Sequence, residues 1–350
     1  MRQILSLFAC LFALWLSAGA AARPLARDEQ VLILPTTARW QGGAIEARID
    51  LWVYELESRP GLSALFARYL DLDLDALSPV DRQRFHERTQ LFRVDSESFK
   101  DVQVRLRGDT HRLPATGFDG RARTVATLSG DGLAPTRRWL KATVAMPHGD
   151  PRHFAGRVQL VPPEGLSVVS DIDDTIKLSQ VRQRREMLLN TFAREFAAVP
   201  GMAERYQALD ASGDTRFHYV SGSPVQLYPP LAAFLRTAGF PEGSVHLRES
   251  TSIRNVIPAH GATREHKLAA IGRLLADFPA RRFLLVGDSG EADPEIYAEL
   301  ARTHPSQIVG IRIRDVSGED ASAPRYRATF EGLPATLWQV YTDPQTLRAP

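Results

Sequence analysis

Two hydrophobic rhythms divide the chain. Before about residue 160, apolar and polar positions alternate one by one, the period of half-exposed strands. Ile45, Ala47, Ile49, Leu51 and Val53 alternate with Glu46, Arg48 and Asp50, and Val102–Leu106 repeats the pattern. Val31–Leu34, Thr124–Leu128 and Trp139–Met146 are further candidate strands. Helices are expected over Leu62–Leu70 and again after Ser78, an N-cap followed by Pro79 at the first helical position. A small β-sandwich with inserted helices is therefore predicted for 23–160. Pro147–Gly165, rich in Pro, Gly and His around one more short strand, holds the boundary.

From Leu166 the rhythm changes. Short apolar runs (Leu166–Val169, Phe217–Val220, Phe283–Val286 and Val309–Ile313) read as strands buried on both faces. Between them lie stretches of helical period. Arg184–Phe196 has Met187, Leu188, Phe192 and Phe196 on its apolar side, and Met202–Leu209 is a second helix. Thr263 caps a third, whose buried stripe is Leu268, Ile271, Leu274 and Leu275. Strands alternating with helices argue for a parallel sheet over 161–320. Beyond Arg314 the chain reads as mostly irregular, which leaves 321–350 as a C-terminal extension.

Residues 1–22 carry a different signal. Arg2 precedes the apolar run Ile4–Leu16, and Ala18–Ala22 offers small-residue cleavage sites. The expectation is a cleaved secretory signal and an exported protein, periplasmic or secreted; an uncleaved anchor is the alternative. Cys10, the only cysteine, lies inside that segment. The mature chain would then hold together by its core, without disulfides. No later apolar stretch is long enough for a membrane span.

Charge narrows the partners. A formal net charge of +2 gives no support for nucleic acid. Among 43 basic residues the only lysines are Lys100, Lys141, Lys177 and Lys267. Each retained lysine is worth inspecting, because a compact ammonium does work that a guanidinium does poorly.

Candidate chemistry sits at the strand tips. Leu166–Val169 runs into Ser170, Asp171, Asp173, Asp174 and Thr175. Asp171 and Asp173, two apart, leave the same side of an extended chain. The pair could share a cation such as Mg²⁺ or divide labour as nucleophile and general acid–base; a solvated Asx turn is the plain alternative. Ser221, at the tip of the next strand, is free to bind a ligand oxygen or to be a turn serine, whereas Ser223 before Pro224 suits a helix cap. Lys267, near a helix start, is poorly placed for the helix dipole and so reads as functional rather than merely exposed. Asp288 ends another buried strand. Asp293 before Pro294 is either a helix cap or a metal-site residue. The triplet Asp71, Asp73 and Asp75 is expected to be a solvated connector rather than a calcium loop.

Taken together, these residues resemble the haloacid dehalogenase superfamily. Its signature is D-x-D-x-T after a first strand, Ser or Thr after a second, Lys at a later helix start, and G-D-x(4)-D. The wording S-D-I-D-D-T-I-K, Y-V-S-G-S-P and G-D-S-G-x-x-D-P-E-I-Y resembles more closely the catalytic domain of the actin-patch phosphatidate phosphatase family, over about 166–316. The resemblance implies a Rossmann-like parallel sheet with helices on both faces, preceded by the smaller β-rich domain. It implies a Mg²⁺-dependent phosphatase with phosphatidate as the type substrate. Asp171 would be the nucleophile, and Asp173 the general acid and base. Thr175 would orient the loop, while Ser221 and Lys267 hold phosphoryl oxygens. Mg²⁺ would be held by Asp171, Asp288, the Asp173 carbonyl and, if it is not a cap, Asp293. Two other readings stay open: an exported phosphatase for soluble phosphomonoesters, and an inactive lipid- or partner-binding module. With under 50 residues between Ser221 and Lys267, no large cap fits there, and the stretch after Lys177 must help shape the entrance.

Overall fold

The computed structural model describes residues 22–56, 61–92, 94–134, 136–211, 213–249 and 261–348. The signal-type segment therefore lies outside the described residues, apart from its last position.

The alternating N-terminal segments form β1 (Glu29–Ile33), β2 (Thr36–Gln41), β3 (Ala44–Leu56), β4 (Val94–Ser96), β5 (Gln103–Leu106), β6 (Asp109–Arg112), β7 (Arg121–Ser129), β8 (Trp139–Val144) and β9 (Ala155–Val161). Hydrogen bonds join them into one nine-stranded sheet in which β3 pairs with β1, β2, β4 and β7. The strands expected to make a sandwich are thus joined in one continuous hydrogen-bonded sheet. At 13 residues, β3 is long enough to serve several partners along its length. Its alternation is as read: Ala47, Ile49, Leu51 and Val53 are buried in a common core with Val104, Leu128, Leu140 and Val158. The sheet reaches Val161 through β9, which pairs with β2 and β8.

The inserted helices are α1 (Leu62–Leu70) and α2 (Pro79–Gln90). Ser78 caps α2 as expected, its hydroxyl accepting from Asp81 N at 3.2 Å. Asp71, Asp73 and Asp75 are exposed between the two helices. Both helices pack on the second unit: Phe66 lies 5.3 Å from the Phe192 ring, and Arg88 donates to Thr191 O and Arg194 O.

That second unit contains β10 (Leu166–Ser170), α3 (Arg184–Phe192), α4 (Met202–Ala211), β11 (Thr215–Pro224), α5 (Tyr228–Thr237), β12 (Gly243–Arg248), α6 (Ala262–Asp277), β13 (Arg282–Asp288), α7 (Asp293–Thr303), β14 (Ile308–Arg314), α8 (Pro324–Thr329) and β15 (Trp338–Tyr341). All six strands are parallel, in the order β12-β11-β10-β13-β14-β15. Because successive strand residues point to opposite faces, Val168, Phe217 and Leu284 meet α3, α4 and α5 on one side. Val169, Val220 and Leu285 meet α6, α7 and α8 on the other. The expected Rossmann-like sheet with helices on both faces is what forms. The order reverses between β10 and β13, and open α/β sheets place their sites at that switch point.

Three local expectations are corrected. The chain beyond Arg314 is not merely irregular: β15 adds a sixth strand beside β14, invisible earlier because four residues among Pro and Gly show no period. The helix from Arg184 stops at Phe192 rather than Phe196. Thr263 lies inside α6, whose N-cap is Gly261 with φ +84°.

Candidate active site

Each strand of the switch point delivers a carboxylate. Asp171 follows β10 directly, its N–H held by Val286 O at 2.9 Å across to β13. Asp288 ends β13. Asp293 begins α7 yet turns inward rather than capping it: its Oδ2 accepts from Asp288 N at 3.3 Å, and its Oδ1 meets Lys267 Nζ at 2.5 Å. Gly287 makes this approach possible, because a Cβ there would collide with the Asp293 side chain. Of the two roles left open for Asp293, the cap is not the one it fills.

Asp171, Asp288 and Asp293 are buried, and one oxygen of each lies within 4.8 Å of the others. Lys267, 1% exposed, is the cation among them, 2.8 Å from Asp171 Oδ1 and 3.2 Å from Glu291 Oε2. Burial alone would lower the Lys267 ammonium, but the surrounding carboxylates outweigh it and keep the group protonated. One ammonium does not balance four carboxylates. Burial pushes the Asp171 and Asp288 carboxyls up, and mutual repulsion pushes further in the same direction. Asp288 Oδ2 is buried without a hydrogen-bond partner. Buried polar atoms are rarely orphaned, so the cluster fits a small divalent cation with oxygen ligands.

Asp173 is held separately. Its carboxylate faces Lys177 Nζ at 2.8 Å and accepts from Ser179 Oγ (2.7 Å), Ser223 Oγ (2.9 Å) and Ser221 Oγ (3.2 Å). Burial would raise this carboxyl, yet Lys177 and the hydroxyls hold it well below its usual range. Neither oxygen joins the Asp171–Asp288–Asp293 group. This corrects any reading of the Asp173 side chain as a cation ligand: the lysine and three hydroxyls have first claim on it. Thr175 hydrogen-bonds Asp171 Oδ2 at 3.1 Å and so fixes the carboxylate's rotation, in keeping with an orienting role. Asp174 pins the loop: at φ +54° it accepts from the N–H groups of Ser179, Gln180 and Val181.

Three residues here escaped the motif reading. Ser223 does not cap a helix; β11 extends through a bulge to Pro224 and presents Ser223 to Asp173. Lys177, buried, also lies 4.8 Å over the Phe196 ring. Glu291 reaches Lys267 from the loop after Asp288. The scarcity of lysine was the available signal for Lys177; none marked Glu291.

A small cavity of about 90 Å³ ends at Asp173 and Ser223. Its walls include Val181, Met187, Leu188, Phe192 and Pro224. Most of these come from the stretch after Lys177, as the missing cap had implied.

Sheet order and strand-tip carboxylates together give the second unit a haloacid dehalogenase-like arrangement. Within that class, residues 166–315 match the family model of the catalytic domain of phosphatidate phosphatase APP1. Phosphatidate phosphatase APP1 of Saccharomyces cerevisiae is 34% identical over 226 residues, covering 63% of this chain and 38% of the relative. An uncharacterized protein of Schizosaccharomyces pombe is 32% identical over 176 residues, covering 47% of this chain and 28% of the relative. The chain thus spans well under half the length of these curated relatives. A haloacid dehalogenase family hydrolase from Salmonella enterica aligns over 72% of this chain and 90% of its own, at 11% identity and a TM-score of 0.27. That score is too low to add to the sheet order. The actin-patch phosphatidate phosphatase resemblance is shown for the catalytic domain.

Proposed function

We propose that this protein is an exported, Mg²⁺-dependent phosphatase that hydrolyses a phosphomonoester through an aspartyl-phosphate, with phosphatidate as substrate and diacylglycerol as product. The observation that carries the reading is the division of the two motif carboxylates. Asp171 sits in the cation cluster beside Lys267, and Asp173 sits 15% exposed at the floor of an apolar-walled cavity. The family match to a phosphatidate phosphatase supports the same reading.

Asp171, Asp288 and Asp293 would hold the Mg²⁺, which supplies charge neutralisation for the phosphoryl group. Asp171 attacks phosphorus in line, and the bond to the ester oxygen breaks. Lys267 and Ser221 would hold equatorial oxygens as charge shifts onto them. Asp173 gives a proton to the leaving oxygen and then takes one from the water that hydrolyses the aspartyl-phosphate. At rest it is ionised against Lys177; as the phosphate dianion arrives and raises its pKa, it takes up a proton from solvent and then donates that proton. The apolar walls beside Asp173 suit a leaving group with hydrocarbon next to its ester oxygen. Phosphatidate is itself a bilayer lipid, so it would be met at a bilayer surface; among the described residues no helix is long and apolar enough to cross a membrane.

Phosphate release from phosphatidate in mixed micelles, compared with water-soluble phosphomonoesters with and without chelator, tests the proposal. Preference for phosphatidate, lost with chelator and restored by Mg²⁺, is expected. Preference for soluble esters would remove the lipid from the proposal, and full activity in excess chelator would remove the metal.

A further inference from the structure

The buried Lys177 ammonium has three N–H donors to place. Asp173 Oδ1 takes one at 2.8 Å, and Ser179 Oγ takes another. Its remaining neighbour is the Phe196 ring, over which Nζ sits 4.8 Å from the centroid. At that distance the ring quadrupole attracts a cation.

The ring is itself held. The Arg88 guanidinium lies over it, 3.8 Å from the centroid, and Phe234 meets it edge-on with centroids 6.0 Å apart and planes at 90°. Arg88 belongs to α2 of the β-rich unit and is fixed in turn by donating to Thr191 O and Arg194 O. A line of contacts therefore runs from the β-rich unit through Arg88, Phe196 and Lys177 to Asp173. At its end Asp173 turns Oδ1 to Lys177 and Ser179, and Oδ2 to Ser221 and Ser223. Ser223 borders the catalytic cavity, so the rotation of this carboxylate decides which oxygen faces a leaving group there.

We propose that Phe196 is a positioning residue for proton transfer by Asp173. Held by Arg88, its ring fixes the Lys177 ammonium, and Lys177 fixes the rotation of the Asp173 carboxylate. The inference rests on the general acid role given to Asp173 above. It gives α2 of the β-rich unit a part in catalysis without contact to substrate.

The test compares leaving groups. An alkoxide needs a proton to depart, whereas nitrophenolate leaves unaided, so a misplaced Asp173 slows the first and spares the second. Whole chain with Mg²⁺, in excess over substrate, is mixed with octyl phosphate or with nitrophenyl phosphate, and release of the alcohol is timed over a single turnover. Phe196→Leu removes the ring. Phe196→Tyr keeps it, and the second cavity that the ring borders, about 590 Å³, has room for the added hydroxyl. Arg88→Met removes the cation that holds the ring. Thermal unfolding establishes which variants fold, and Phe196→Met replaces Phe196→Leu if the latter does not. Octanol release should slow about tenfold in Phe196→Leu while nitrophenolate release stays within about twofold of wild type. Phe196→Tyr should restore octanol release, and Arg88→Met should show the same selective loss. Equal slowing of both substrates, slowing that the tyrosine does not rescue, or wild-type rates in Phe196→Leu or Arg88→Met overturns the proposal. Asp173→Asn is the control for the reading beneath it. If that variant releases octanol at the wild-type rate, the acid role fails and the inference falls with it; if it slows octanol alone and Phe196→Leu does not, only the inference fails.

Discussion

Removing the Lys177 ammonium should strand a charge in the protein interior. Lys177 is 1% exposed and pairs with Asp173 at 2.8 Å. Lys177→Met keeps much of the side chain's bulk and leaves Asp173 with three hydroxyl donors, from Ser179, Ser221 and Ser223. Breaking a buried pair from one side costs roughly 3–5 kcal/mol. Because the Asp173 side chain is 15% exposed, the lower end applies, about 3 kcal/mol. The melting temperature should then fall by roughly 6–12 °C. The stranded carboxylate can escape by taking a proton. In the wild type, Asp173 titrates below its ordinary 3.8, so its stabilisation is complete above that value and is lost only in strong acid. In the variant its folded pKa rises, so the folded state gains protons first and the deficit shrinks as pH falls from 7.5 to 5. Urea denaturation of both single variants and of Asp173→Asn/Lys177→Met completes a double-mutant cycle. The double variant should recover about 2 kcal/mol relative to additivity. A loss under about 1 kcal/mol for Lys177→Met, or strict additivity, would refute the claim that this pair is buried and mutually dependent.

Three further outcomes are expected. Lys267→Arg should fold yet lose turnover by about 10²-fold, since a planar guanidinium displaces groups packed around a buried ammonium; wild-type turnover would return Lys267 to a structural role. Ser223→Ala deletes a hydrogen bond to a charged acceptor and should lower kcat on alkyl phosphates by roughly tenfold; unchanged kcat with a stability loss alone would leave that hydrogen bond a purely structural one. His218 is buried between Ser244 and Ser167, and burial holds its pKa well below 6.5. The unfolded chain therefore binds a proton there first as pH falls below about 6.5, and stability drops by up to about 1.4 kcal/mol per pH unit. His218→Gln should flatten that slope in urea titrations by one proton, with the opposing contributions of Asp171 and Asp288 cancelling in the comparison.

The strand-tip groups were legible because a buried strand that ends in a carboxylate is a local pattern, and topology then gathers such ends at one edge of the sheet. Asp171, Asp288 and Lys267 meet as their positions implied. Asp293 satisfied two local grammars at once, Asp-Pro capping and cluster membership, and only its side-chain direction separates them. Ser223 was misread for a related reason: Ser-Pro is cap grammar, whereas a bulge in β11 turns the serine toward Asp173. Lys177 and Asp173, four apart, suggest a surface helix pair, but a tight loop joins them and buries Lys177. The docking of α1 and α2 on α3 joins residues about a hundred positions apart, and neither segment's own periodicity contains that contact. β15 is formed by partners rather than by propensity, its four residues ordered by β14.

The central claim is a covalent intermediate on Asp171. The most direct measurement is rapid acid quench of the Asp173→Asn variant with a ³²P-labelled aryl phosphate, whose leaving group departs without a proton, followed by peptide mapping. Loss of the base should stall hydrolysis of the intermediate, so acid-stable label should accumulate as a burst on the peptide containing Asp171, and Asp171→Asn should show none. Label on another residue, or undiminished label and turnover in Asp171→Asn, would contradict the account.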